Sequence, residues 1–99
     1  MIDFAFHPEA QNEFKFAIDI YEEYEKSLGH QFAVEVFRTV ERILMYPDAW
    51  PYINSSIQRC LLRRFPYGII YAYNKQKEEI IVLAVMHLHR DPKYWVDRV

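Results

Sequence analysis

The sequence contains one cysteine and two glycines, and it lacks any hydrophobic run long enough to span a bilayer. The longest apolar run, IIVLAVM at residues 80–86, is far shorter than a membrane-spanning helix requires. The single cysteine, Cys60, cannot form an internal disulfide, and its neighbours in RCLLR predict a buried thiol. The N-terminal MIDFAFHPEA has neither a positive segment nor a long apolar segment, so it does not resemble a secretion signal. We therefore expect a soluble cytoplasmic protein.

The 99 residues are too few for two independent cores, which predicts one domain over residues 1–99. A hydrophobic content of 52% and a charged content of 26% argue against a disordered chain. Charge is unevenly distributed: residues 1–50 contain four basic and ten acidic residues, whereas residues 51–99 contain eight and four. A basic half can approach phosphates, but acidic residues also simply solvate helix faces. The sequence pI of about 6.1 is low for a nucleic-acid-binding protein.

Two amphipathic helices are predicted in the first half of the chain. Apolar residues recur at steps of three and four through residues 9–28, and again through residues 33–44. Gly29 is placed to end the first helix, and Pro47 stops the second. The one-glycine connection predicts an antiparallel helical hairpin.

Strand patterns occupy the N-terminus and the second half. IDFAF alternates at the start, and QRCLLRR, YGIIYAY and EEIIVLAVMH follow the helices. The order β-α-α-β-β-β predicts an α+β fold with the hairpin packed on one face of a mostly antiparallel sheet. The other face is left for water or a partner. The residues expected to be buried together are Phe14, Ile18, Val36, Phe37, Val40, Ile70 and Leu83.

The last predicted strand runs into HLHRDPKYW, where polar and aromatic residues cluster. His87 and His89 are two residues apart, so on a strand both face one side, and either could act as an acid or a base. A His-x-His metal site has no visible third and fourth ligands, and we expect neither metal nor cofactor. Tyr94 and Trp95 either stack on a base or pack the tail onto the sheet, and burial of large aromatic areas favours packing.

Arg90 in the same segment has two interpretations. Its planar guanidinium could hold a phosphate or an acidic partner side chain, or it could pair with Asp91 or Asp97. Asp91 and Pro92 end the strand, because proline cannot donate to a ladder. The sequence leaves the two interpretations open.

This element order, together with RRFPYGIIYAY (residues 63–73) and VLAVMHLHRDPKYW (residues 82–95), resembles the RelE/ParE superfamily. These are toxins of bacterial type II toxin–antitoxin modules, also called plasmid-stabilisation proteins. The resemblance covers nearly the whole chain and is most specific in the C-terminal half. It implies a growth-inhibiting toxin that is neutralised by a cognate antitoxin. RelE-like members cut messenger RNA on the ribosome and ParE-like members inhibit DNA gyrase, so both targets, and whether the protein is an enzyme, stay open.

The resemblance also implies where a site would lie. RelE-like nucleases carry an arginine just before the apolar-apolar-Tyr stretch of the middle strand, and GIIY places Gly68 there. Arg64 could replace it by pointing across the sheet. A tail aromatic takes part at the nuclease site, and Trp95 stands nearest that position but has no hydroxyl.

The candidate residues form two groups, His87, His89, Arg90 and Arg64 for catalysis and Arg63, Tyr94 and Trp95 for binding. The first four are expected to converge at the C-terminal end of the last strand. Adjacent residues of a strand face opposite sides, so at most one of Arg63 and Arg64 would reach the open face. An antitoxin segment would bind as a helix in a groove or as an added strand. A non-toxic interaction module that keeps the fold is the alternative function.

Overall fold

The computed structural model describes residues 1–99 as two helices against one four-stranded sheet. The elements are β1 (Asp3–Phe6), α1 (Pro8–Tyr24), α2 (Leu28–Met45), β2 (Ile57–Leu61), β3 (Tyr67–Asn74) and β4 (Glu79–His87), followed by a 3₁₀ turn at Val96–Arg98. The sheet order is β1-β4-β3-β2, with β1 parallel to β4 and the other pairs antiparallel. The predicted α+β architecture and element order are confirmed. Neither helix is long and apolar enough to cross a membrane.

The joint of the helical hairpin lies before Gly29, not at it. α1 ends at Tyr24, the chain turns at Ser27 with a φ of 74°, and Gly29 belongs to the first turn of α2. The prediction that Gly29 ends the first helix is therefore wrong. A Cβ at Gly29 would lie 2.4 Å from the backbone oxygen of Ile18, so the glycine is needed for close packing of the two helices.

The carboxylate of Glu22 fixes this joint. Its oxygens accept hydrogen bonds from the N–H of Ser27 at 2.8 Å and from the N–H of Gly29 at 3.0 Å. These donors begin α2 and would otherwise have no partner within the helix. The bond from Ser27 lowers the pKa of Glu22. A side chain of α1 thus caps α2.

Both faces of the sheet carry a core. The core between the sheet and the hairpin includes Phe14, Phe32, Val36, Ile69, Tyr71 and Val85. The core on the opposite face consists of Ile57, Ile70, Leu83, Ala84, Met86 and Trp95. Trp95 is only 3% exposed, so the C-terminal tail covers part of the face that was predicted to be free. That prediction is wrong for the region beneath Trp95.

The predicted core is only partly correct. Five of its seven members are buried, but they divide between the two faces: Phe14, Val36 and Val40 lie on the hairpin side, and Ile70 and Leu83 lie in the second core. Neighbouring strand residues point to opposite faces, which separates Ile70 from Ile69. Ile18 is half-buried, and Phe37 is 49% exposed, resting on the rim of the core against the Phe14 ring at 5.5 Å.

The outer edge of β4 is closed by side chains. β1 ends opposite Val82, so the β4 residues beyond it have no strand on that side. Glu13 of α1 accepts the N–H of Val85 at 3.1 Å, and the Arg98 guanidinium donates to the Leu83 carbonyl at 3.0 Å. Arg98 and Glu13 also pair with each other. The C-terminus is thereby anchored to the edge that the short β1 leaves open.

Candidate functional site

The two histidines meet at a turn, not on one strand face. β4 ends at His87, and residues 87–90 form a turn in which the Arg90 N–H donates to the His87 carbonyl at 3.0 Å. The expectation that both histidines lie on the strand is wrong for His89. Their rings are nevertheless adjacent, with centroids 5.1 Å apart, and the His89 N–H donates to His87 Nδ1 at 3.0 Å. In the neutral ring this bond leaves the proton of His87 on Nε2.

His87 lies on the hairpin side of β4. Its ring meets the Tyr67 ring edge-on at 5.1 Å, and it borders a recess of about 200 Å³ with Glu13, Phe16 and Arg90 among its walls. Burial raises the pKa of the Tyr67 hydroxyl. The recess places the His87 imidazole, the Glu13 carboxylate and the Arg90 guanidinium side by side.

Arg90 is held by residues that the sequence did not suggest. It pairs with Glu13 at 3.2 Å, rather than with Asp91 or Asp97, and its guanidinium lies 3.6 Å from the centre of the Tyr94 ring. Tyr94 Oη is buried without a hydrogen-bond partner, and burial raises its pKa. The charge of Arg90 is thus partly compensated, although its side chain is 53% exposed.

Arg63 and Arg64 lie in the turn after β2, which ends at Leu61. Both border one groove along α2, so the expectation that they face opposite sides of a strand is wrong. Arg64 donates to Gln31 Oε1 at 2.9 Å and lies over the Phe65 ring. The structure brings His87, His89 and Arg90 together but directs Arg64 towards α2 and not across the sheet.

A second-face groove of about 200 Å³ lies on the sheet face opposite the hairpin. It is lined by Ile53, Asn54, Arg59, Met86, Pro92, Lys93, Trp95 and Val96. Trp95 forms one wall while its indole packs into the second core, which fits the packing interpretation of this residue. Tyr94 belongs to the same tail but contacts Arg90 and Arg98 instead.

Arg59 is the basic residue of this groove that sequence reasoning missed. The β2–β3 register pairs Leu61 with Gly68 and Arg59 with Ile70, which puts Arg59 beside Gly68 on the second face. A Cβ at Gly68 would lie 3.2 Å from Cγ and Cδ of Arg59, so the arginine stem crosses the glycine. Arg59 thus fills the space above the position where the resemblance implied a strand arginine. The alternation of side chains within QRCLL shows which residues share a face with Arg59. The pairing of β2 with β3 is needed to show that this face carries Gly68.

The second-face groove offers donors without a neutralising carboxylate. Neither Arg59 nor Lys93 takes part in an ion pair, and no acidic residue lines the groove. Asn54 Oδ1 accepts two backbone N–H groups, so its NH₂ is left as a donor. Trp95 Nε1 is buried without an acceptor. This arrangement suits an anionic group such as a phosphate or a carboxylate.

Comparisons with known proteins agree on the fold. No protein-family model and no curated protein sequence matches the chain. The crystal structure of the isolated RelE toxin of E. coli is similar over 98% of this chain and 95% of the other, with a TM-score of 0.68 and 17% identity. The chromosomal ParDE TA system of P. aeruginosa contains a chain that is similar over 90% of this chain and 98% of its own, with a TM-score of 0.61 and 16% identity. The protein therefore has the RelE/ParE-like fold.

Proposed function

We propose that the protein is the toxin of a type II toxin–antitoxin module, acts in the cytoplasm, and is neutralised by a cognate antitoxin. The main observation in favour of this proposal is the extent of the structural similarity. The match covers nearly the full length of this chain and nearly the full length of the RelE toxin and of the ParDE chain. The sequence motifs in residues 63–73 and 82–95 support the same assignment.

The effector surface in this proposal comprises the second-face groove and the adjoining turn of residues 87–90. Arg59 and Lys93 supply positive charge, and neither side chain takes part in an ion pair. His89 and Arg90 lie at the end of β4, where the tail turns back over the sheet. An anionic group of the target would bind in the groove, and the turn would contact the surrounding surface.

We infer that growth inhibition does not depend on RNA cleavage. Cleavage without a metal needs an acid and a base beside the bound phosphate. The second-face groove is lined by neither a histidine nor a carboxylate. His89 of the adjoining turn is not among its lining residues, and His87 borders the recess on the other side of β4. Gly68 replaces the strand arginine, and Trp95 has no hydroxyl. These departures favour a binding mode of inhibition, such as the inhibition of DNA gyrase by ParE-like members, over cleavage of messenger RNA.

Regulated expression in a bacterial host tests the proposal. We expect growth to stop on induction and to recover when the neighbouring reading frame is co-expressed. The purified protein should inhibit supercoiling by gyrase, and primer extension on cellular messenger RNA should show no new cleavage sites. Unimpaired growth at a high intracellular level would reject the toxin assignment, and new cleavage sites within codons would reject the inferred mode.

A non-toxic interaction module is the second candidate. It is favoured by the absence of acid–base residues in the second-face groove and by the pairing of Arg90 with Glu13. Such a module would bind the product of the neighbouring reading frame without affecting growth. Co-elution in gel filtration combined with normal growth would select it.

A further inference from the structure

We propose that the groove between α2 and the β2–β3 turn binds an acidic helical segment of a partner protein. This arginine groove has a volume of about 570 Å³ and is lined by Glu35, Arg38, Glu41, Arg42, Met45, Arg63 and Arg64. It shares no residue with the second-face groove. The binding surface stands independently, and only the identification of the partner as an antitoxin rests on the proposed function.

The charges of the arginine groove are not neutralised within the protein. None of its four guanidinium groups takes part in an ion pair. One of its two carboxylates, Glu35, is already used, because its Oε2 accepts the N–H groups of Arg63 at 2.5 Å and Arg64 at 2.9 Å. Glu35 therefore fixes the β2–β3 turn and holds two arginines at the rim. The groove retains an excess of positive charge in a protein whose formal net charge is −2.

Two of the arginines are held in place before any partner arrives. Arg42 donates to Thr39 Oγ1 at 3.1 Å and to the Leu61 carbonyl at 3.3 Å, and Arg64 donates to Gln31 at 2.9 Å. A side chain that is already ordered loses less conformational entropy on binding. Each planar guanidinium keeps further N–H donors for a carboxylate.

The other two arginines are free. The guanidinium groups of Arg38 and Arg63 make no hydrogen bond, and both residues are exposed. They can adjust to the spacing of acidic groups on a partner. The groove thus combines a fixed pair of cations with an adaptable pair.

The spacing along α2 fits a partner helix. Arg38 and Arg42 are one helical turn apart on the same face, which matches carboxylates one turn apart on a helix lying alongside. Met45 is 67% exposed at one end of the groove, and Val34 lines an adjoining recess near the other end. These apolar residues give such a helix two contact points outside the charged stretch.

A nucleic-acid backbone fits the arginine groove less well. No exposed aromatic residue lines it, so bases would have no stacking surface. Glu41 stands among the arginines and would repel a continuous row of phosphates. The overall negative charge also opposes the approach of a long polyanion. A protein segment of mixed composition can place a neutral or basic residue opposite Glu41.

Nuclear magnetic resonance titration of the full ¹⁵N-labelled protein tests the proposal. The probe is an alanine-based helical peptide with glutamates one turn apart, and its control has glutamine at the same positions. We expect amide shifts confined to residues 31–45 and 62–65 with the glutamate peptide and none with the glutamine peptide. The Arg38→Gln/Arg63→Gln variant should bind at least about tenfold more weakly, since tenfold corresponds to 1.4 kcal/mol. Lys15→Gln/Lys77→Gln removes the same charge elsewhere and should leave the affinity within about twofold.

Several results would overturn the proposal. Shifts elsewhere in the protein, equal binding of both peptides, or equal weakening by the lysine variant would each reject it. Stronger shifts of the same amides by a single-stranded oligonucleotide would assign the groove to nucleic acid instead. Growth assays separate this proposal from the toxin assignment: an Arg38→Gln variant, at a position outside the second-face groove and the turn of residues 87–90, should still arrest growth when expressed alone. A wild-type protein that does not arrest growth would reject the toxin assignment without affecting the titration.

Discussion

Arg98 and Glu13 form a two-bonded ion pair, with N–O distances of 2.9 and 3.1 Å, at the edge of β4. Their side chains are only 11% and 13% exposed. Each also satisfies one backbone group of the edge, the N–H of Val85 for Glu13 and the carbonyl of Leu83 for Arg98. The first and last parts of the chain are therefore joined by a pair that replaces a missing strand.

Glu13→Gln should lower the free energy of unfolding by about 2–4 kcal/mol, because it leaves the guanidinium of Arg98 buried without its counter-charge. Urea denaturation measures the change. Glu9→Gln is the control, since Glu9 contacts the same guanidinium at 3.4 Å from a position that is 65% exposed. It should cost no more than about 0.5 kcal/mol. Equal effects of the two substitutions would show that the edge closure does not stabilise the fold.

Glu22 should make stability depend on pH at the hairpin joint. The hydrogen bond from Ser27 lowers its pKa below the ordinary value of 4.5, so the folded state prefers the charged form. Its contribution is complete above 4.5 and is lost as pH falls through the lower folded-state pKa. Wild type should therefore be more stable than Glu22→Gln at pH 7, and the difference should shrink in acid. A difference that is independent of pH, measured by thermal unfolding across the range, would contradict this.

Gly29→Ala should destabilise the protein although alanine is the better helix former. Helix propensity alone would favour alanine by about 1 kcal/mol. The new methyl would lie 2.4 Å from the Ile18 carbonyl oxygen, so the helices would have to move apart. This should lower the free energy of unfolding by about 1–3 kcal/mol beyond what the better helix propensity of alanine adds. Chemical denaturation shows whether the free energy of unfolding falls or rises. Ser27→Gly, at a φ of 74°, should be neutral or stabilising and serves as the control for the joint.

Trp95→Ala should cost about 3–5 kcal/mol, because the indole is buried against Ile70 and Met86. The measurement is the midpoint of urea denaturation. Val99→Ala, at a position that is 73% exposed in the same tail, should change stability by less than about 0.5 kcal/mol. If Trp95→Ala retains wild-type stability, the second core does not depend on the tail.

Arg59→Gln should abolish growth inhibition with little loss of stability, since the Arg59 guanidinium forms no hydrogen bond or ion pair in the structure. Arg90→Ala should also reduce growth inhibition and lower stability by only about 0–1 kcal/mol, because the Arg90 side chain is 53% exposed and Glu13 keeps its pair with Arg98. Growth curves after induction and melting temperatures provide the two measurements.

Lys75→Gln is the charge-matched control for these variants, because Lys75 lies in the β3–β4 turn and pairs with Asp48. It should remain fully inhibitory. Full growth inhibition by an Arg90→Ala, His89→Ala double variant would move the function away from the turn of residues 87–90.

The sequence alone determined the element order and the fold class. Hydrophobic periods of 3.6 and 2 are local properties, so the two helices and the last three strands could be read directly. The last strand ends earlier than expected, at His87, before Asp91 and Pro92 are reached. Burial of Cys60, at 1% exposure, and of Phe14 also followed from their places in these patterns. A resemblance carried by residues 63–73 and 82–95 was enough to indicate the RelE/ParE-like fold.

Only the tertiary structure decided which residues meet. The hairpin joint depends on the approach of Gly29 to Ile18, the partner of Arg90 is Glu13 on a distant helix, and Arg59 gains its role from the register of β2 against β3. Each is a contact between segments far apart in sequence, and periodicity contains no information about such contacts. β2 likewise ends early, at Leu61, so Arg63 and Arg64 lie in a turn. Side chains in a turn do not alternate between two faces as they do in a strand, and both arginines therefore line the same groove.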